Sequence, residues 1–356
     1  MTVPGTAPVP HVPVPHVPGP AEVARQAEAV LTEVGTAVVG MRDTLRIALA
    51  AVLADGHVLF EDLPGLGKTL AARSLASALG LEFRRIQCTP DLLPSDITGS
   101  AVWDPQATAF AFRPGPVFAG LLLADEINRT APKTQSALLE AMAERQVTVD
   151  GVTHPLARPF HVMATSNPVE YEGTYPLPEA QLDRFMVRIA VGYPTPDAEV
   201  DILQRRLARH REEAPVRQVV DAAAVLALQA GVEAVPVDDD VVRYCVDVAA
   251  ATRRHDAVEV GASPRGSQAL LLVSRALAVI SGRDFVAPED VKAVAVAALA
   301  HRITLTPATW AAGVQAEDVV RQVLAQVPTP ATVPNAPVPN ATRPGATVPN
   351  ATRPGA

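Results

Sequence analysis

A ten-residue stretch at positions 60–69, FEDLPGLGKT, contains the residue types that bind the phosphates of a nucleotide. Gly65 and Gly67 leave no side chain between the backbone N–H groups and an anion. The ammonium group of Lys68 can reach the outer phosphates, and the hydroxyl of Thr69 can bind Mg²⁺. Because the N–H groups at a helix N-terminus point at the anion, this chemistry requires a loop between a strand and a helix. The stretch therefore predicts a site for a nucleoside triphosphate and its magnesium ion.

The first position of this loop departs from the general G-x-x-x-x-G-K-[ST] pattern, because Asp62 takes the place of the first glycine. That residue turns the chain out of the strand and need not touch phosphate. We therefore expect the departure to leave nucleotide binding intact. The predicted nucleotide-binding residues are Asp62, Leu63, Pro64, Gly65, Leu66, Gly67, Lys68, Thr69 and Leu70.

An acidic pair, Asp125 and Glu126, ends the apolar run of LLLADEIN. In open parallel sheets, ligands bind at the carboxyl ends of the strands, where this pair would lie. Asp125 is predicted to hold Mg²⁺ together with Thr69. Glu126 points elsewhere and is predicted to orient or deprotonate the attacking water. A capping role at the next helix is the alternative interpretation of the pair.

Strands and helices alternate around these two motifs. HVLFED, LEFRRIQC, LLLADE, FHVMATSN and MVRIAVG are predicted strands, and LGKTLAARSLASALG and KTQSALLEAMAERQ are predicted helices. This alternation favours a parallel sheet covered by helices on both faces. Two further segments, SAVWDPQATAFAFRPGPVF and VTVDGVTHPL, predict β-hairpins, the second with Asp150-Gly151 at its turn.

Composition divides the chain into four parts. Residues 1–20 and 327–356 are rich in proline and repeat VPHVP and VPNATRPGA, which predicts two disordered tails. Residues 21–192 carry the alternating pattern and both motifs, which predicts an α/β ATPase core. Every segment of residues 193–326 has a helical pattern, which predicts an all-helical second domain.

Charge and cysteine content narrow the classes of function. The 356 residues carry a formal net charge of -8, so the chain gains no general attraction to nucleic acid. Cys88 and Cys245 match no metal-binding spacing and predict reduced thiols in a cytoplasmic protein. No uncharged apolar run reaches the roughly 20 residues that a membrane helix needs, so we expect no membrane span.

Four motifs together resemble the AAA+ ATPases, and in particular their MoxR branch. FEDLPGLGKT, LLLADEINR, MATSNPVEYEGTYPLPEAQLDRF and GASPRG occur in the order typical of that family. The resemblance extends from about Val39 to Ile303. It implies a P-loop AAA+ core, with a parallel sheet between helices, followed by a helical lid domain.

The resemblance implies roles for further polar residues. Asn167, at the end of FHVMATSN, matches the sensor that contacts the terminal phosphate or the water. Arg184, in LDRF, matches the arginine finger that acts on the ATP of a neighbouring subunit, and Arg188 is the competing candidate. Arg265, in SPRG, matches the lid arginine that contacts ATP from the second domain. Guanidinium groups suit such contacts because they stay charged and bind phosphate oxygens in pairs.

The first hairpin resembles an insert that lines a central pore or grips a client protein. An exposed Phe110 or Phe112 would support that role, and a buried hairpin core is the alternative.

One mismatch concerns Gly40-Met41, where the family usually has Gly-Gln. Contacts to the adenine base are therefore not assigned from the sequence.

The resemblance implies Mg²⁺-dependent hydrolysis of ATP by a ring, expected to be a hexamer. Its implied role is that of a chaperone-like remodeller in the maturation of protein or metalloprotein complexes. The implied partners are other copies of the chain and a client protein, with a von Willebrand A-type domain protein as one candidate, and no specific nucleic acid. The alternatives are a magnesium-chelatase-like ATPase subunit, a nucleic-acid motor of the same clade and, from another class, a small-molecule kinase that uses the same loop.

Overall fold

A computed structural model of the chain describes residues 16–63, 65–167, 174–211 and 214–331. The strands in these ranges are β1 (Val58–Glu61), β2 (Phe83–Gln87), β3 (Gly99–Asp104), β4 (Ala109–Pro114), β5 (Leu121–Asp125), β6 (Gln146–Val149), β7 (Val152–Pro155), β8 (His161–Ser166), β9 (Val187–Ile189), β10 (Val258–Val260) and β11 (Thr304–Leu305). The helices are α1 (Pro20–Gly35), α2 (Arg42–Leu53), α3 (Lys68–Ala78), α4 (Pro94–Thr98), α5 (Pro132–Glu144), α6 (Glu179–Leu182), α7 (Pro196–Arg209), α8 (Ala222–Glu233), α9 (Asp239–Thr252), α10 (Pro264–Ile280), α11 (Pro288–Leu299), α12 (Pro307–Ala311) and α13 (Ala316–Gln326).

Five strands form one parallel sheet in the order β2-β5-β8-β1-β9. The interior strands β5 and β8 are buried along their whole length, as expected for strands covered on both faces. Leu59 and Phe60 belong to separate core clusters, because successive side chains of a strand point to opposite faces. Leu75 packs on the Phe60 side and Leu138 on the Leu59 side. The predicted α/β core with helices on both faces is confirmed.

The two predicted hairpins are present outside this sheet. β3 pairs with β4 in antiparallel register, with Trp103 opposite Phe110. β6 pairs with β7 around the predicted turn, and both Asp150 and Gly151 have the positive φ that a two-residue hairpin turn requires.

The second domain is mainly helical, as predicted, and helices α7 to α13 account for most of it. It is not entirely helical, however, because β10 and β11 form a short antiparallel ribbon in which Val258 lies opposite Leu305. Strands of three and two residues are too short to show an alternating pattern, so they cannot be recognised from the sequence. Helix α1 begins at Pro20 and α13 ends at Gln326, while residues 1–15 and 332–356 lie outside the described residues.

Candidate functional site

The predicted phosphate loop connects β1 to α3, as its chemistry requires. Gly65 and Gly67 both have left-handed backbone conformations, with φ of +83° and +82°. A Cβ atom at Gly65 would meet no heavy atom within 4 Å, so backbone conformation and not space favours glycine there. Pro64 lies outside the described residues.

Lys68 is the first residue of α3, and it is buried with 8% of its surface exposed. Its ammonium group donates a hydrogen bond to the backbone carbonyl of Asp62. Burial lowers the pKa of Lys68, and the nearby carboxylates of Asp62, Asp125 and Glu126 oppose that effect. The ammonium group is therefore held at the mouth of the loop among acidic groups.

One cavity of about 370 Å³ brings the loop together with the ends of two other strands. It is lined by Gly65, Gly67, Lys68, Thr69, Leu70, Asp125, Glu126, Thr165, Ser166 and Asn167. The parallel register explains this grouping, because β1, β5 and β8 all end at the same edge of the sheet. The lining residues include the predicted loop lysine, magnesium ligands, water-orienting glutamate and sensor asparagine.

Asp125 makes polar contacts with three side chains. The hydroxyl of Thr69 donates to Oδ2 at 3.2 Å, and the buried hydroxyl of Thr165 donates to Oδ1 at 2.6 Å. Arg85, on the neighbouring strand β2, donates to Oδ2 through Nη2 at 2.7 Å. A hydroxyl and a carboxylate this close together fit Mg²⁺, which prefers oxygen ligands and usually takes only one or two carboxylates from the protein.

Glu126 has a left-handed backbone conformation, with φ 58° and ψ 50°, which is uncommon for a residue other than glycine. Its N–H donates to the Thr165 hydroxyl at 2.8 Å. Its carboxylate accepts hydrogen bonds from Gln87 Nε2 at 2.9 Å and Arg129 Nη1 at 3.1 Å. Glu126 is therefore held by β2, β8 and its own turn at the edge of the cavity.

Asp62 directs its carboxylate toward the connection to the second domain. Oδ2 accepts hydrogen bonds from the backbone N–H groups of Val191 at 2.8 Å and Gly192 at 2.5 Å, and Oδ1 accepts one from Leu63 at 2.7 Å. Two successive N–H groups that converge on a carboxylate form an anion-binding nest. The side chain of Asp62 therefore joins the phosphate loop to the segment that leads into α7.

A second, mostly apolar cavity of about 330 Å³ adjoins the glycines of the loop. Among the residues that line it are Val38, Met41, Leu66, Leu70, Ile202 and Arg209. It combines the segment before α2, the phosphate loop and α7. An apolar slot beside a phosphate site has the character that a nucleotide base requires.

Arg184 and Arg265 lie together at the opposite edge of the sheet. Arg184 precedes β9, whose first residue pairs with Val58 at the start of β1, whereas the phosphate loop follows the end of β1. The length of β1 alone separates the two edges by about 10 Å. Arg265 lies 3.7 Å from Asp183, and both arginines line a cavity of about 270 Å³ that does not include Lys68.

Arg188, the competing candidate for the finger, pairs with carboxylates of its own chain. It contacts Glu61 at 2.7 Å and Glu317 at 2.6 Å, and its side chain is only 18% exposed. The resemblance matches Arg184 to the finger and leaves Arg188 as the competing candidate. Among the residues that the structure describes, these contacts favour Arg184.

Four residues of the site were missed by the sequence analysis, namely Arg85, Gln87, Arg129 and Thr165. A partial signal was available for Arg85 and Gln87, because residues two apart on a strand share a face. Their target could be found only once β2 and β5 were known to be neighbours, with Gln87 opposite Asp125.

Comparison with known proteins gives consistent matches over most of the chain. Residues 57–187 match the model of the ATPase family associated with various cellular activities, and residues 250–323 match an AAA lid domain. The uncharacterized protein YeaC of Bacillus subtilis is 50% identical over 82% of this chain and 91% of its own. Chaperone MoxR1 of Mycobacterium tuberculosis is 42% identical over 85% of this chain and 82% of its own.

A solved structure, that of a protein assigned as an ATPase from Cytophaga hutchinsonii, superposes with a TM-score of 0.81. It is 38% identical, and the match covers 88% of this chain and 97% of that chain.

Within the described ranges, no helix combines the length and the apolar character needed to cross a membrane.

Proposed function

This chain belongs to the MoxR family of AAA+ ATPases, and on that premise we propose that it hydrolyses Mg²⁺-ATP in a closed ring, where each nucleotide lies between two protomers. One observation carries the proposal. Lys68, Thr69, Asp125, Glu126 and Asn167 line one cavity at the carboxyl edge of the sheet, whereas Arg184 lies at the amino edge.

The residues of the Lys68 cavity take separate parts in an in-line attack of water on the γ-phosphate. Lys68 binds the outer phosphates, and Thr69 and Asp125 hold Mg²⁺, which neutralises charge on the phosphates when bound. Glu126 orients the water and accepts its proton, and Asn167 aligns the water or the γ-phosphate. Among the described residues, Gln87 and Arg129 both bind Oε2 of Glu126, so the other oxygen, Oε1, can accept the hydrogen bond of the water.

Arg184 acts on the ATP of the next protomer. It cannot reach the phosphate loop of its own chain across the sheet, so its guanidinium completes a neighbouring site. Such a contact joins different surfaces of two copies, and repetition of that contact closes a ring, which we take to be a hexamer. Arg265 lies in the same cavity and acts on the same neighbouring nucleotide.

The apolar cavity beside the loop holds the adenine base. The backbone of residues 38–41 supplies polar groups, and Ile202 and Leu70 supply apolar walls. Since Ile202 lies on α7, the base links the ATPase core to the second domain. Rotation of that domain upon hydrolysis then acts mechanically on a client protein.

The first hairpin is the surface that contacts the client. Trp103 and Phe110 are 50% and 71% exposed and pack edge to face, with ring centroids 5.4 Å apart. Phe112 instead stacks on His154 of the second hairpin at 3.8 Å. An exposed aromatic pair favours contact with a protein. The relative named Chaperone MoxR1 supports a chaperone-like remodelling role. We further propose that this role lies in the maturation of protein or metalloprotein complexes, with a von Willebrand A-type domain protein as the candidate partner.

The proposed compartment is the cytoplasm. Cys88 and Cys245 are free and buried, and burial raises the pKa of each thiol to about 12. Free thiols that are protected in this way suit a reducing compartment.

Binding and turnover measured on separate variants test the ATPase site. Lys68→Ala should abolish binding of a fluorescent ATP analogue, because the loop loses its phosphate ligand. Glu126→Gln should bind ATP with an affinity close to that of the unmodified protein and lose nearly all turnover. Glu140→Gln, an exposed residue of α5, is the matched control and should keep full turnover. A Glu126→Gln protein that hydrolyses ATP at the normal rate would contradict the assignment.

A further inference from the structure

Arg302 uses every one of its hydrogen-bond donors inside the chain. It follows helix α11 in the second domain, and its side chain is 4% exposed. Nε donates to the carboxylate of Asp183 at 2.7 Å, and Nη2 donates to the carbonyls of Asp183 at 3.2 Å and Phe185 at 2.8 Å. Nη1 donates to the carbonyls of Met186 at 3.2 Å and Ala298 at 2.5 Å and also lies 2.9 Å from Nε2 of His301. A guanidinium has five N–H groups, so each of them has an acceptor within the chain.

Four of the five bonds to oxygen atoms end on the segment 183–186, which contains Arg184. The carbonyls directly before and after Arg184 in the chain, those of Asp183 and Phe185, are both held by Arg302. Within the described part of the chain, the hydrogen bond of the Arg184 side chain is a long one, from Nη1 to the carbonyl of Ala180 at 3.4 Å. The backbone of the candidate finger is therefore fixed by the second domain, while its guanidinium remains at the wall of the cavity that Arg265 shares.

This arrangement depends on the shape of a guanidinium. Burial lowers the pKa of Arg302, and the carboxylate of Asp183 opposes that effect. Burying a charge is costly unless it is paired and fully hydrogen-bonded, and here both conditions hold. A lysine would keep the charge but would offer only three donors from one atom, so it could not reach both carbonyls beside Arg184 and the carboxylate of Asp183.

We propose that Arg302 is a positioning residue for Arg184, through which the second domain sets where the finger meets the neighbouring ATP. The inference rests on the proposed action of Arg184 between protomers. The second domain also contributes Ile202 and Arg209 to the cavity assigned to the base of its own nucleotide. The same domain therefore touches the ATP of its own protomer and holds the finger that serves the next one.

The test compares Arg302→Lys with a matched control in the full chain. Arg283→Lys is the control, because Arg283 also pairs with a carboxylate in the second domain, that of Asp290 at 2.6 Å, but at the opposite end of α11. Arg302→Lys should bind the ATP analogue with a Kd within about twofold of the unmodified protein, since its own phosphate loop is intact. Its kcat should fall by about 10-fold to 100-fold, because a small displacement of a catalytic group has effects of that size. Arg283→Lys should keep its kcat.

Mixed rings separate a positioning role from a general loss of structure. Arg302→Lys has an intact phosphate loop and a misplaced finger. Lys68→Ala has a defective phosphate loop and an intact finger. In random rings of equal parts, about one interface in four combines an intact loop with an intact finger, so about a quarter of normal activity should return. A mixture of Arg184→Ala with Lys68→Ala should recover to the same level.

The outcomes distinguish the positioning role of Arg302 from the proposed action of Arg184 on the neighbouring ATP. Normal turnover by Arg184→Ala would contradict the finger itself, and the inference would fall with it. If Arg184→Ala loses activity and recovers when mixed with Lys68→Ala, the finger stands. In that case either of two results would overturn the inference about Arg302: a folded Arg302→Lys ring with normal kcat, or an Arg302→Lys protein that does not recover when mixed with Lys68→Ala. If Arg302→Lys does not fold, the test uses Asp183→Asn. That substitution keeps an oxygen acceptor for Arg302 but removes the charge of the carboxylate. We expect the same recovery on mixing, and its absence would overturn the inference.

Discussion

Replacing Thr165 with valine should loosen both carboxylates of the ATPase site at once. The Thr165 hydroxyl is buried, donates to Asp125 at 2.6 Å and accepts from the backbone N–H of Glu126 at 2.8 Å. Valine keeps the branched shape but loses both bonds and leaves a carboxylate oxygen and an N–H group without this partner. The bond to the charged group contributes about 2 kcal/mol and the neutral one about 1 kcal/mol. Thr165→Val should therefore lower the free energy of unfolding by about 3 kcal/mol.

The same substitution should reduce turnover by about 100-fold, because a catalytic group that is displaced by about 1 Å can lose that much activity. Chemical denaturation measures the first effect and steady-state ATP hydrolysis the second. Thr165→Ser retains the hydroxyl and should stay close to the unmodified protein in both. Thr148→Val, which removes an exposed hydroxyl of β6, controls for the substitution type. Unfolding free energy within about 0.5 kcal/mol of normal for Thr165→Val, together with normal turnover, would refute the reasoning.

Two further predictions concern pH and the phosphate loop. His57, His161 and His301 are buried, and burial lowers the pKa of each, to about 3 for His57. Because the unfolded chain takes up these protons below about pH 6.5 more readily than the folded chain, stability is greatest above that pH and should fall between about pH 7.5 and 5.5. His57 alone contributes about 1.4 kcal/mol of that fall. Denaturation at the two pH values, with an unchanged free energy as the contrary result, checks this. Asp62→Gly restores the glycine of the general pattern but removes the carboxylate that binds the backbone N–H groups of Val191 and Gly192. Because these two residues line the base cavity, KM for ATP should rise with little change in kcat. A fall in kcat at constant KM would contradict that account.

The sequence predicted those parts of the site that lie in contiguous motifs. Lys68 and Thr69 follow two glycines, and Asp125 and Glu126 follow an apolar strand, so local spacing was sufficient to identify them. The common edge of the sheet was also predictable, because parallel strands place their carboxyl ends together.

Residues that act across the fold could not be found in this way. Thr165 and Arg85 reach Asp125 from separate strands, and Arg302 reaches the finger segment from more than 110 positions away in the chain. Their partners depend on strand order and domain packing, which one sequence does not reveal. Asp62 was expected only to turn the chain, whereas its carboxylate holds the connection to the second domain.

The central claim is that each ATP lies between the loop of one protomer and the finger of the next. A structure of the assembled protein with Mg²⁺, ADP and a fluoroaluminate that mimics the transferred phosphate tests it most directly. The account predicts that Lys68 of one protomer and Arg184 of its neighbour both lie within hydrogen-bonding distance of the mimic, about 3 Å. A mimic bound by Lys68 with Arg184 of every protomer more than about 6 Å away would contradict it.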